Sequence, residues 1–296
     1  MPSGRTILTR VVFGSIMVLG LCAVLALDGY LELVVSVGPR GVALTGLVVM
    51  LIAVAVFEIG RMAAGAGTEV LKCAALLGAV VLGTMPVWQR LGPFVRNTDI
   101  VWAVLGLIVA GVFLEAMVRR PIEGALGRIA ATLLAVLYLG AGAAAMLAIR
   151  VRFGLAELVL FLAVVKFTDI GAYFTGTLVG RHKLIPRLSP GKSWEGLAGG
   201  LVVAAGVSIL GAWGLGWELR VHLDAWQAAI FGVVVGVAGQ FGDLCESLLK
   251  RAAQMKDSGA VVPEFGGVLD LLDSPLLAAP VAYLLLNVPY LVKVLS

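Results

Sequence analysis

Charge is scarce in this chain. Only 14% of its 296 residues are Asp, Glu, Lys or Arg, where a soluble domain carries about 25%. Cysteine is scarcer still: Cys22, Cys73 and Cys245 stand at no disulfide or metal-binding spacing, which excludes a disulfide scaffold and a zinc-finger-type site. No long polar stretch interrupts the apolar runs, so there is little room for a separate soluble domain. The chain is 60% hydrophobic with a mean hydropathy of +1.05, the composition of a membrane protein. Its 38 glycines suit helices that approach one another closely. The net charge of +4 fits membrane lipids or anionic substrates, and no nucleic-acid partner is expected.

A membrane-crossing helix needs about 20 mostly apolar residues. Nine stretches qualify, at about 10–28, 41–58, 70–87, 100–118, 127–149, 155–175, 196–216, 226–249 and 274–293. Arg5 and Arg10 before the first run imitate a signal peptide. The run is long for one, however, and Cys22 follows Leu21 rather than a small residue, so it reads as an uncleaved first span. Pro39, Pro86, Pro93 and Pro121 are expected in connections. With the N-terminus in the cytoplasm, fourteen Lys and Arg fall on the inner side and seven on the outer, with Lys166 inside a span. The expected fold is an all-α polytopic integral membrane protein in a bacterial-type inner (plasma) membrane. Residues 1–150 are expected to supply a packing and dimer scaffold, and 151–296 the catalytic helices and cytoplasmic loops.

Four clusters of polar residues carry the chemistry. Lys166 and Asp169 stand three apart inside an apolar helix, where a charge costs about 2.5–3.5 kcal/mol and so invites a functional reading. The basic segment 180–196 places Ser189, Lys192 and Ser193 near a helix start, whose N–H groups suit phosphate. Its "GKS" is no P-loop, because Pro186 stands where the first glycine belongs. In "FGDLCESLLKR", Asp243, Glu246, Ser247 and Lys250 share one helical face, with Arg251 beside it. A Glu246–Lys250 helix-end pair would explain part of this, but not Asp243 deeper in the span. In "KDSGAVVPEFGGVLDLLDS", Gly266 and Gly267 permit close backbone approach, and Asp270 and Asp273 open the last span. Singly each Asp could be a helix cap. Carboxylates beside cations favour Mg²⁺, with room for a second cation, and Asp243 and Asp270 could hold it together if the last two spans are neighbours.

At these residues the sequence resembles the phosphatidate cytidylyltransferase (CDP-diacylglycerol synthase) family. Ser247, Lys250, Arg251, Lys256, Asp257, Ser258, Gly259, Pro263, Gly266, Gly267, Asp270 and Asp273 stand in the places of its signature with unbroken spacing. "TDIGAYFTG" and "SPGKSWEG" resemble family segments in the same order. Phe265 replaces the family's His, and Leu271 its second-motif Arg. The resemblance implies Mg²⁺-dependent transfer of CMP from CTP to phosphatidic acid by a homodimer. It implies Asp243 and Asp270 as metal ligands, joined in catalysis by Lys250 and Arg251. Ser189, Lys192, Ser193, Ser247 and Lys256 would bind substrate, and Asp169, Glu246, Asp257 and Asp273 would orient the others. The alternatives are a CTP-dependent lipid kinase of the polyprenol type, a family relative with impaired catalysis, and an ion-coupled transporter using the buried acids as relays.

Overall fold

The computed structural model describes residues 4–34, 40–90, 98–119, 121–216, 218–259 and 266–295. Among them the chain forms nine α-helices in the nine expected places: α1 Gly4–Val34, α2 Val42–Gly65, α3 Lys72–Trp88, α4 Thr98–Arg119, α5 Ala125–Ala148, α6 Leu155–Val179, α7 Trp194–Gly214, α8 Ala225–Ala252 and α9 Leu269–Leu295. A π-helical turn, Ile149–Phe153, follows α5, and a short hairpin of β1, Lys183–Ile185, and β2, Ser189–Ser193, lies between α6 and α7. Seven of the helices are long and apolar enough to cross a membrane. The other two are α3, of 17 residues, and α6, which carries Glu157, Lys166 and Asp169. The protein is an all-α polytopic membrane protein. Pro86 departs from expectation by lying inside α3 rather than in a connection. It stands two residues from the helix end, so the i−4 bond it removes falls in the last turn of α3. Pro39 and Pro93 fall outside the described residues.

The chain divides into two compact units. The first comprises 1–147 with 249–272, and the second 148–248 with 273–296. In the first, α1 to α4 pack in sequence, and Leu71, Val112 and Ala116 form a buried cluster with Ile129 and Leu133 against it. A helix leaves its first N–H groups without internal partners, and hydrocarbon offers them none. Here neighbouring helices supply the acceptors. Asp28 of α1 accepts from the N–H groups of Ala43 and Leu44 at the start of α2 (3.0 and 3.3 Å). At the start of α3, Ala74 N–H donates to Glu115 of α4 (2.6 Å) and Leu71 N–H to Thr132 of α5 (2.9 Å).

In the second unit, small residues let helices meet at backbone distance. Gly196, Gly200, Ala204 and Ser208 recur every four residues as the buried stripe of α7, the spacing that favours close packing in membranes. A Cβ at Gly200 would stand 2.8 Å from the Thr168 carbonyl of α6. One at Gly232 would stand 2.5 Å from the Ala204 carbonyl, so α8 approaches α7 as closely. Gly176 of α6 packs against Gly196 of α7 in the same way.

Gly200→Leu is therefore expected to lower the thermal midpoint of the detergent-purified protein, with overpacking of about 1–3 kcal/mol or more. Gly206→Ala on the same helix, with nothing within 4 Å of the added methyl, is expected to leave the midpoint unchanged or raise it slightly. Equal effects of the two would remove the close-packing account.

Candidate active site

The hairpin sets the position of Lys192. Ser193 ends β2 and caps α7, its Oγ accepting from Gly196 N–H at 3.1 Å. Glu195, in the first turn of α7, accepts from the N–H groups of Arg181 (3.1 Å) and His182 (3.2 Å) and lies 2.6 Å from His182 Nδ1. The ribbon is thus tied to the helix it precedes. Lys192, one residue before the cap, places its Nζ 2.8 Å from Asp243 Oδ2 and donates to the Gln240 carbonyl at 3.2 Å. Gln240 in turn donates from Nε2 to Asp169 Oδ1 at 2.8 Å. Lys192, Gln240, Asp243 and Asp169 so form one chain of contacts through the hairpin, α8 and α6. With Tyr173 and Ser189 they line a cavity of about 600 Å³.

Beside this chain lie three carboxylates. Asp243, Glu246 and Asp273 each bring an oxygen within 4.8 Å of the others. Glu246 is fully buried and Asp273 is 8% exposed. Ser247 donates weakly to Asp243 Oδ1, at 3.4 Å. Lys166 is near enough to Asp169 and Asp273 to interact electrostatically with both. Ionised, Asp243, Glu246 and Asp273 would set three like charges within a few ångströms of one another. Like charges this close disfavour one another unless a cation joins them. Three carboxylates are a hard-oxygen donor set of the kind Mg²⁺ prefers, so these residues fit the ion that the sequence implies.

In the first unit, Asp270 is held from all sides. Its Oδ2 accepts from Gly267 N–H (2.6 Å), Ser258 N–H (3.0 Å) and Ser258 Oγ (2.7 Å), and its Oδ1 meets Lys250 Nζ at 2.6 Å. Glu58 of α2, 2% exposed, accepts from Val268 N–H (2.9 Å) and Leu269 N–H (2.8 Å). Arg251, Lys256 and Asp257 are exposed. Leu271 lies in the first turn of α9, its N–H donating to Val268 O; Phe265 and Pro263 lie outside the described residues.

Among the residues expected from sequence, the second unit thus joins Asp243 to Glu246, Asp273, Asp169, Lys192 and Ser247, while Asp270 and Lys250 pair within the first. Sequence reasoning missed Gln240 and Glu58. A lone glutamate in an apolar helix would have marked Glu58; Gln240, a polar residue one turn before Asp243, gives no comparable signal.

The sequence model of the cytidylyltransferase family matches residues 8–289. The chain belongs to that family. Among curated relatives, the phosphatidate cytidylyltransferase of Brucella suis biovar 1 is 40% identical over 132 residues, 45% of this chain and 47% of the relative. That of Staphylococcus haemolyticus is 38% identical over 154 residues, 52% and 57% of the two chains. That of Mycobacterium leprae is 41% identical over 128 residues, 43% and 39%. The chain spans about half the length of the curated relatives it matches.

Mg²⁺ is expected to raise the thermal midpoint of this cytidylyltransferase-family protein, as any ligand of the folded state does. Asp243→Asn and Asp273→Asn should each lose most of that rise. An undiminished rise in both variants would place the ion elsewhere.

Proposed function

We propose that the protein transfers the cytidylyl group of CTP to phosphatidic acid, giving CDP-diacylglycerol and pyrophosphate for phospholipid synthesis. The observation that carries this reading is the meeting of three carboxylates and Lys192 beside a cavity among apolar helices, in a chain of the cytidylyltransferase family. The named relatives are phosphatidate cytidylyltransferases, which supports phosphatidic acid as acceptor.

In the reaction an oxygen of the lipid phosphate forms a bond to the α-phosphorus of CTP, and the bond from that phosphorus to the bridging oxygen breaks. Pyrophosphate leaves with the electron pair. Such transfers depend on positioning and charge neutralisation more than on covalent catalysis. Asp243, Glu246 and Asp273 would hold Mg²⁺, which when bound would neutralise phosphate charge and polarise the reacting phosphoryl group. Lys192, held at the cavity by Asp243 and the Gln240 carbonyl, offers its ammonium to phosphate oxygens. Gln240 orients Asp169, and Ser247 orients Asp243. Ser189 and Ser193 stand on the hairpin as contacts for the nucleotide phosphates. In the first unit, Asp270 fixes the direction of Lys250, which with Arg251 and Lys256 supplies cationic groups for anionic substrate; Asp257 lies next to Lys256 in sequence. Asp270 is retained as a metal ligand in this reading, as the resemblance implies. A phosphate monoester is largely dianionic near pH 7, its second pKa being about 6, so no base need act on it.

The Lys and Arg bias supports an inner-membrane protein with its N-terminus and hairpin in the cytoplasm, and the family resemblance suggests a homodimer. CTP would then arrive from the cytoplasm, and the acyl chains would remain in the bilayer.

Detergent-purified protein given CTP, Mg²⁺ and phosphatidic acid is expected to release pyrophosphate and form CDP-diacylglycerol, with no turnover when the lipid is omitted. Asp243→Asn is expected to lower kcat by about 100-fold or more, the scale of losing an electrostatic contact to a developing charge. CDP release with a phosphorylated polyprenol would instead identify a lipid kinase. No CTP turnover with either acceptor would reject both.

A further inference from the structure

The start of α9 is closed by two carboxylates. Gly267 N–H donates to Asp270, and Val268 and Leu269 N–H donate to Glu58. A helix start of this kind would otherwise suit phosphate, but its donors are already taken. Glu58 comes from α2, about 200 residues earlier, and reaches the same loop from the other side of Ser258. The Ser258 hydroxyl lies 2.7 Å from Asp270 and 3.3 Å from Glu58. Having one proton, it donates to the nearer Asp270. The fit around Glu58 is tight: a Cβ on Gly259 would stand 2.5 Å from Glu58 Oε1, and one on Gly267 2.6 Å from it. α2 touches the same stretch again one turn or two later, where a Cβ on Gly65 would stand 2.8 Å from the Ala253 carbonyl. The residues before and after the 260–265 segment are thus gripped by a helix that the signature motif does not include.

We propose that Glu58 is a positioning residue that sets the start of α9 and thereby aims Asp270, and through it the Lys250 ammonium. This rests on the proposed function insofar as Asp270 and Lys250 serve the transfer. Two N–H groups on one carboxylate fix the backbone of Val268 and Leu269. Asp270, the next residue, can then reach back to Gly267 and Ser258 while its other oxygen meets Lys250. Glutamine at position 58 keeps the volume but presents an NH₂ where an N–H donor points, so one bond is lost and two donors face each other.

The test is Glu58→Gln in the full-length protein, alone and combined with Asp270→Asn. The single variant is expected to stay folded and to exchange amide hydrogens faster across 256–272 while α3 to α5 remain protected. It should lower kcat by about ten-fold, as loss of an orienting partner does. In the Asp270→Asn background the same change should cost little, because its effect passes through Asp270. Wild-type exchange and wild-type kcat in Glu58→Gln would overturn the proposal, as would an equal loss of kcat in both backgrounds. Should Glu58→Gln fail to fold, Gly259→Ala, which presses a methyl on Glu58 and leaves its charge, is expected to give the same exchange pattern; unchanged exchange there overturns it. If the wild type turns over no CTP, the functional reading fails and exchange across 256–272 alone decides the anchoring role.

Discussion

A backbone N–H facing hydrocarbon has no water to turn to, and every helix start in this protein raises that demand again. The chain meets it with acids from neighbouring helices, Asp28 for α2, Glu115 for α3 and Glu58 for α9, where the helix's own Asp270 also takes part. In the second unit Glu157 does the same for the N–H groups of Arg220 and Val221, at 2.5 and 3.1 Å. Each pairing satisfies two costly groups at once, since a buried carboxylate also needs donors. It also ties segments distant in sequence together without a polar core. With only 18 acidic residues in the chain, a large share of them is committed to this structural work.

Against that pattern the group of Asp243, Glu246 and Asp273 stands out. Its members sit within a few ångströms of one another rather than at separate helix starts. Such an arrangement is costly for an apolar fold unless something positive completes it. In the proposed function a divalent ion completes it, beside a substrate rich in phosphate. The close packing of α6, α7 and α8 through glycine makes the arrangement possible, because backbones at contact distance bring short side chains such as Asp169, Gln240 and Asp243 within reach of one another.

The number and place of the helices were legible because span length and apolar content are set by the bilayer itself. The hairpin was not: strands of three and five residues containing Pro190 and Gly191 carry no alternation to read. On α8, the i, i+3 spacing of Asp243 and Glu246 shows that they share a face. Which aspartate of α9 joins them is another matter. Asp270 and Asp273 are one turn apart on the same side, so spacing alone cannot choose between them; packing within the second unit brings in Asp273. Glu58 is passed over for a similar reason. Its polarity reads as the frayed end of a span, and only the fold reveals that α2 continues to Gly65 and buries it.

The choice between a phosphate and a hydroxyl as acceptor turns on what removes a proton. An alcohol attacking phosphorus has to lose its proton during the reaction, and a histidine is the commonest group to take it. This chain has two histidines. His182 is exposed and 2.6 Å from Glu195, where it helps fasten the hairpin to α7. His222 is also exposed and lies 3.8 Å from Asp224, in the connection that precedes α8. Neither lines the cavity beside Lys192 and Asp243. The carboxylates that do line it, Asp169 and Asp243, are engaged by Gln240 and Lys192, which suits an acceptor that arrives already ionised and needs no base. A lipid phosphate meets that condition, and a polyprenol hydroxyl does not.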